Sequence, residues 1–171
     1  LVQPGEQVSI GTPLLVDKEQ GRMNIVSPVS GTIGEVRRGE RRKILAVTIE
    51  KNGDTRAEVS NDFSTPEKSV ETLCAAGLWV LFRQRPYDIV PAPATDFRDV
   101  FVTAFDTTPL APAIVTPAQY GDLEEGLRIL SQLTAGKVYL SIPFGSGITS
   151  SAAEVIEFQG PHPAGNVGVQ I

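Results

Sequence analysis

Four residue types are almost missing from this chain. Its 171 residues hold one cysteine, one methionine, one tryptophan and one histidine. A single cysteine, Cys74, excludes an internal disulfide and fits a reducing compartment. Its expected place is a helix face, as a small buried hydrophobe. A single histidine, His162, beside one cysteine and no clustered carboxylates, leaves no conventional metal-ligand set. A Ser-His-Asp triad would need His162 itself, and no nucleophile-elbow sequence accompanies it. No phosphate-binding Gly-x-x-x-x-Gly-Lys-Ser/Thr loop occurs. Apolar runs are short, as in Leu78–Phe82, against the ~20 residues needed to span a bilayer. The net charge of −5 gives no overall electrostatic footprint for nucleic acid. No signal peptide is visible. Leu1 opens inside a strand–turn pattern and Ile171 closes as an apolar segment starts, so we read the chain as a piece of a longer one.

What is present is ordinary globular composition, 41% hydrophobic and 20% charged, enough for a packed core. Residues 1–59 read as all-β. Pro4-Gly5 fits the centre of a type II turn, where Pro fixes φ and Gly supplies φ > 0. Val8, Ile10, Leu14 and Val16 are spaced for one face of short strands. Leu45, Val47 and Ile49 alternate, and Asn52-Gly53 then signals a hairpin. Arg37, Arg38, Arg41, Arg42 and Lys43 make a basic run around Gly39-Glu40. Such a run is usually a solvated hairpin, and it also suits an acidic partner or lipid headgroups, at about 1 kcal/mol per basic residue near an anionic membrane.

From residue 60 the pattern changes to α/β. Ser64 or Thr65 caps a helix with Pro66 at its first position. Val70, Leu73, Cys74, Gly77 and Leu78 continue at helical spacing toward Arg83–Pro86. Arg83 and Arg85 would then stand at the helix C-terminus, favoured by its dipole by about 0.3–1 kcal/mol. Strands are expected over 100–105, 137–142 and 154–158, with a helix over 117–135 capped by Gly136. Gly145-Ser146-Gly147 carries the first two glycines of a dinucleotide fingerprint, but Ser150 replaces the third. A turn after Pro143 is the simpler reading. His162 lies between two prolines in Gly160–Gly165, a rigid loop that shapes a pocket wall or docking edge.

The two half-motifs, Val2–Leu15 and Ser27–Ile33, resemble biotinyl/lipoyl-type barrels. In lipoyl domains an Asp-Lys hairpin bears the modified lysine, and Asp17-Lys18 stands in that region. The loop from Lys18 to Pro28 is longer than usual, so Lys18 reads as an ordinary solvated residue.

Five separated segments carry a wider resemblance: Ala76–Trp79, Phe82–Pro86, Phe101–Ala111, Gly136–Leu140 and Gly160–Gly165. With Ser27–Thr32 and Arg38–Arg42 they resemble the A subunits of the Na+-translocating NADH:quinone oxidoreductases (Na+-NQR). That family is related to the flavin-binding subunit of respiratory complex I, whose glycine loop lets the backbone approach the flavin phosphate. Here the corresponding run, Trp79–Pro86, has no glycine.

The resemblance implies a barrel-sandwich domain over 1–59 and a degenerate, Rossmann-like nucleotide-binding α/β domain over 60–171. It implies an extrinsic, cofactor-free subunit on the cytoplasmic face of a bacterial inner membrane, partnered by the other subunits of the pump and chiefly by a membrane subunit. FMN, FAD, riboflavin and iron–sulfur centres belong to those other subunits, which pass electrons from NADH to ubiquinone. Quinone or partner contact is expected from His162, Pro163, Gly165, Arg83, Arg85 and Asp106. Two rivals remain: a carrier domain modified at Lys18 and fused to an enzyme domain, and a flavin-dependent dehydrogenase subunit of the Rnf or complex I type.

Overall fold

The computed structural model describes residues 2–17, 23–112 and 114–171. Lys18, the carrier candidate, lies outside them. The chain forms two compact units, Leu1–Thr95 and Asp96–Ile171.

The first unit begins with the expected turn. Gly5 has φ +89°, and the Glu6 amide closes on the Gln3 carbonyl at 3.2 Å. Strand β1 (Gln7–Val8) pairs antiparallel with β4 (Gly31–Arg38), which pairs with β5 (Ile44–Lys51). Strands β2 (Pro13–Val16) and β3 (Asn24–Val26) form a separate antiparallel ribbon. Val2, Val8, Leu14 and Ile33 make the buried core, with Leu15, Val36, Val47 and Ile49 against it. Gly31 is required by space, because a Cβ there would stand 2.1 Å from the Glu50 carbonyl oxygen of β5. The buried hydroxyls of Ser27 and Ser30 donate to the carbonyls of Val29 and Asn52, which satisfies them inside the barrel.

Three expectations for this barrel need correction. Val16 does not share the inner face, being 49% exposed. The register of β2 on β3 shifts between Pro13 and Leu15, so Leu14 is an extra residue and the alternation inverts after it. A second shift, between Arg37 and Arg38, likewise leaves Leu45 outside the ladder and 56% exposed. Asn52-Gly53 turns the chain, with Gly53 at φ +87°, but no hairpin strand follows. The segment instead runs parallel to Ile10, whose amide donates to Thr55 and whose carbonyl accepts from Ala57.

Helix α1 (Pro66–Ala75) starts as expected, with the Thr65 hydroxyl accepting from the Lys68 amide at 3.3 Å. It ends earlier than the spacing predicts. Gly77 takes φ +72°, Leu78 N–H returns to Leu73 O at 2.9 Å, and Gly77 N–H returns to Cys74 O at 3.2 Å. This is a Schellman stop. Arg83 and Arg85 are therefore not at a helix end, and the dipole account of them fails. Trp79–Leu81 forms one 3-10 turn, and Cys74 is buried on the helix face. The helix packs on the barrel ribbon: Asn24 Nδ2 donates to Ala75 O, and a Cβ on Gly77 would lie 2.8 Å from Val26. Trp79 is fully buried, donates Nε1–H to Pro91 O at 2.9 Å and packs on Phe82.

The second unit is a three-stranded parallel sheet, β6 (Val100–Thr103), β7 (Val138–Pro143) and β8 (Glu154–Phe158), with β7 central. Central position buries Val138, Leu140 and Ile142. Helix α2 (Tyr120–Ser131) crosses from β6 to β7 and adds Leu127 to that core. The return from β7 to β8 contains no helix, and Ile148 supplies its apolar anchor to the same cluster. Gly136 is not the cap of α2, which stops at Ser131. Gly136 is required because a Cβ there would collide with Arg98 O at 1.9 Å. A four-residue helix, α3 (Val167–Gln170), closes the described chain.

Candidate functional site

In parallel sheets the strand ends at the carboxyl edge are where loops converge and ligands bind. Here the loops leaving β6 and β8 meet. Thr107, four residues beyond β6, uses its hydroxyl as the knot. Its Oγ1 accepts the Gly165 N–H at 2.9 Å and lies 3.4 Å from His162 Nδ1. Thr103 Oγ1 lies 3.2 Å from Phe105 O and 3.5 Å from Gly165 O, so its single proton serves the nearer carbonyl. Gly165 is buried, and a Cβ on it would stand 2.7 Å from Thr107 N. Only glycine lets the two loops approach this closely. Beneath them Phe105 and Phe158 stack with centroids 6.3 Å apart.

Asp106, His162 and Pro163 stand exposed on this edge. The Thr108 amide donates to Asp106 Oδ1 at 2.8 Å. Hydrogen bonds from Thr108 hold the Asp106 carboxyl below its ordinary range, and attraction to His162 adds a smaller effect in the same direction. The edge thus presents an imidazole, a carboxylate and a rigid turn, a set suited to recognition. The hydroxyl beside the imidazole, Thr107 Oγ1, is held by the Gly165 N–H and ties the two loops together. Among the described residues no group of three or more His, Cys, Asp or Glu is placed to hold a metal ion.

Of the six expected contact residues, the structure gathers four: Asp106, His162, Pro163 and Gly165. Arg83 and Arg85 belong to the first unit and have local partners. Arg83 donates to Val80 O at 2.7 Å and Phe82 O at 2.9 Å, and Arg85 pairs with Asp88 at 3.6 Å. Sequence reasoning missed Thr107 as the connecting residue. Its signal was a hydroxyl next to Asp106 in a loop expected beyond a strand end, which no local periodicity marks.

The dinucleotide fingerprint is not supported by its surroundings. Gly145 and Gly147 take φ +73° and +70° in a turn, but no helix follows them before β8. Without a helix N-terminus the loop lacks the donor array that holds a pyrophosphate.

No helix among the described residues is long and apolar enough to cross a membrane. A family model described as the NqrA N-terminal barrel-sandwich hybrid domain matches residues 1–52, and one described as the NqrA second alpha/beta domain matches residues 64–171. Proteins named as the A subunit of Na(+)-translocating NADH-quinone reductase are similar along the whole chain. The one from Marinomonas sp. is 40% identical over 100% of this chain. Those from Saccharophagus degradans and Yersinia pseudotuberculosis are 38% and 37% identical over 99% and 100% of it. The chain spans about 40% of the length of these curated relatives.

Proposed function

The chain belongs to the NqrA family, and from that membership we propose that it is the barrel-sandwich and second α/β portion of one subunit in a sodium-translocating NADH:quinone reductase. In this reading the portion binds and positions, and carries no redox step. Flavins and iron–sulfur centres sit on other subunits, and the protein attaches to the cytoplasmic face of the membrane through them. The α/β part is a relative of the flavin subunit of complex I that has lost its flavin loop. Trp79 supports this: in the run that lacks glycines it is fully buried and hydrogen-bonded to Pro91 O, filling space that a phosphate cradle would leave open. A boundary between family modules near residue 59/60 is part of this reading; it falls in the gap between the matched stretches 1–52 and 64–171, whereas the compact units divide after Thr95.

The observation that carries the functional assignment is the knot at the carboxyl edge. Thr107 Oγ1 takes the Gly165 N–H and lies 3.4 Å from His162 Nδ1, which accepts the Thr107 proton in the Nε2–H tautomer of the neutral ring. His162 then presents Nε2–H outward as a donor, matched to the carbonyl oxygen of a quinone or of a neighbouring subunit. The test is His162→Ala in the assembled enzyme. Folding is expected to stay intact while the KM for quinone or the sensitivity to quinone-site inhibitors changes. Unchanged KM and unchanged inhibition would make the loop a connector and remove His162 from the site.

A further inference from the structure

The first unit contains a groove of about 1100 Å³ that the functional reading does not use. Leu15, Val16, Met23, Ile25 and Ile44 of the barrel line it, with Val80 of the 3-10 turn and Val90 beyond it. Val16 and Ile25 are 49% and 51% exposed within it. Arg38, Arg41 and Arg42 also line it, from the tip of the β4–β5 hairpin, with Asp17 the carboxylate among the lining residues. The tip is held by Gly39 N–H to Lys43 O at 2.8 Å and Lys43 N–H to Glu40 O at 3.1 Å. Arg41 and Arg42 both take left-handed φ, +54° and +61°, a conformation that costs about 1–2 kcal/mol per residue. Among the described residues no carboxylate pairs with any of these three arginines.

We propose that this groove docks a segment of a neighbouring subunit that carries carboxylates beside apolar side chains. The proposal rests on the reading of the chain as part of a multi-subunit complex. Two physical requirements select the occupant. Among the described residues lining the groove, three guanidiniums stand with one carboxylate in a chain of net charge −5, an excess of positive charge that an anionic partner neutralises. Guanidinium forks bind carboxylates two hydrogen bonds at a time, which fixes the register of an acidic segment. The second requirement is shape. The exposed apolar surface lies in a concavity, which a flat bilayer meets only at its rim and a peptide can enter.

The test uses the full-length protein in its assembled complex, with the photo-crosslinker p-benzoyl-phenylalanine in place of Ile25. A crosslink to a segment of another subunit bearing both carboxylates and apolar residues is the expected result. Arg38→Glu, Arg41→Glu and Arg42→Glu together should cut its yield by about tenfold or more, while the triple change to Lys keeps most of it. Circular dichroism verifies the fold of each variant, whose altered side chains are exposed. A crosslink to phospholipid, a crosslink to a basic or wholly polar segment, or a yield indifferent to charge reversal overturns the proposal. So does the lack of any crosslink in an intact complex, which leaves the family-level reading standing. If the purified protein carries no other subunits before irradiation, the assembly reading fails and the groove proposal with it.

Discussion

Gly165→Ala is the sharpest probe of the knot between the two loops. The added Cβ would stand 2.7 Å from Thr107 N, 3.0 Å from Thr107 Oγ1 and 3.2 Å from the Asp106 carbonyl carbon. Two of these atoms are backbone, so a rotamer change does not relieve the contact. Overpacking of this kind costs about 1–3 kcal/mol. Separating the loops also stretches the 2.9 Å bond from Gly165 N–H to Thr107 Oγ1, worth about 1 kcal/mol. A combined loss of about 2–4 kcal/mol corresponds to roughly 30- to 800-fold in an opening equilibrium. Hydrogen exchange at the amides of Leu140 and Ile142, in the central strand, reads that equilibrium for the second unit alone. Gly145→Ala is the control, because its Cβ meets nothing within 4 Å and only its φ of +73° is offended. It should cost about 1–2 kcal/mol, the strain of a Cβ residue in the left-handed region. Exchange in Gly165→Ala no faster than in the control, with the Thr107 amide shift unmoved, would refute the close-approach account.

Three further outcomes are expected. Trp79→Phe removes the donor to the buried Pro91 carbonyl and should lower stability by about 1–3 kcal/mol, read as a lower urea midpoint with the slope unchanged. Hydrogen bonds from Lys68 and Ser64 hold the Asp62 carboxyl at about 2, below its ordinary 3.8. Its contribution is therefore fully present above pH 3.8 and disappears as pH falls through about 2, which carbon-detected NMR titration of Asp62 checks. Gly77→Ala meets both a φ of +72° and Val26 Cγ2 at 2.8 Å, so it should destabilise α1 and its seat on the barrel more than Gly145→Ala destabilises its own loop, by thermal melts of the two variants.

Much of the second unit was legible because its signals are local. The runs around Val100, Val138 and Glu154 are short and apolar, and all three became strands. Helix ends were harder. Gly77 and Leu78 fit the helical spacing, yet one left-handed residue ended α1, and periodicity cannot report the sign of φ. Gly136 looked like a cap because glycine commonly serves as one, whereas its reason here is the nearby Arg98 carbonyl. Val16 and Leu45 were misplaced by single-residue register shifts, which invert alternation without changing composition. At the candidate site, His162 and Asp106 were nameable as residue types. Their meeting depends on Thr107 and Gly165, 58 residues apart in sequence. Contacts of that span leave no mark in spacing.

The seat of α1 on the β2–β3 ribbon bears on how this protein can be taken apart. Asn24 and Val26 reach across the change from all-β to α/β, and Ala75 and Gly77 answer them from the other side. Scissors guided by secondary structure would cut near residue 59 and tear that seam, stripping cover from Val26 and orphaning the Asn24 amide. A cut after Thr95 respects it. Whatever ancestry joined the barrel to the segment that follows, the end of α1 now covers the β2–β3 ribbon, and the buried Trp79 follows directly behind it. A minimal barrel for solution work should therefore keep them.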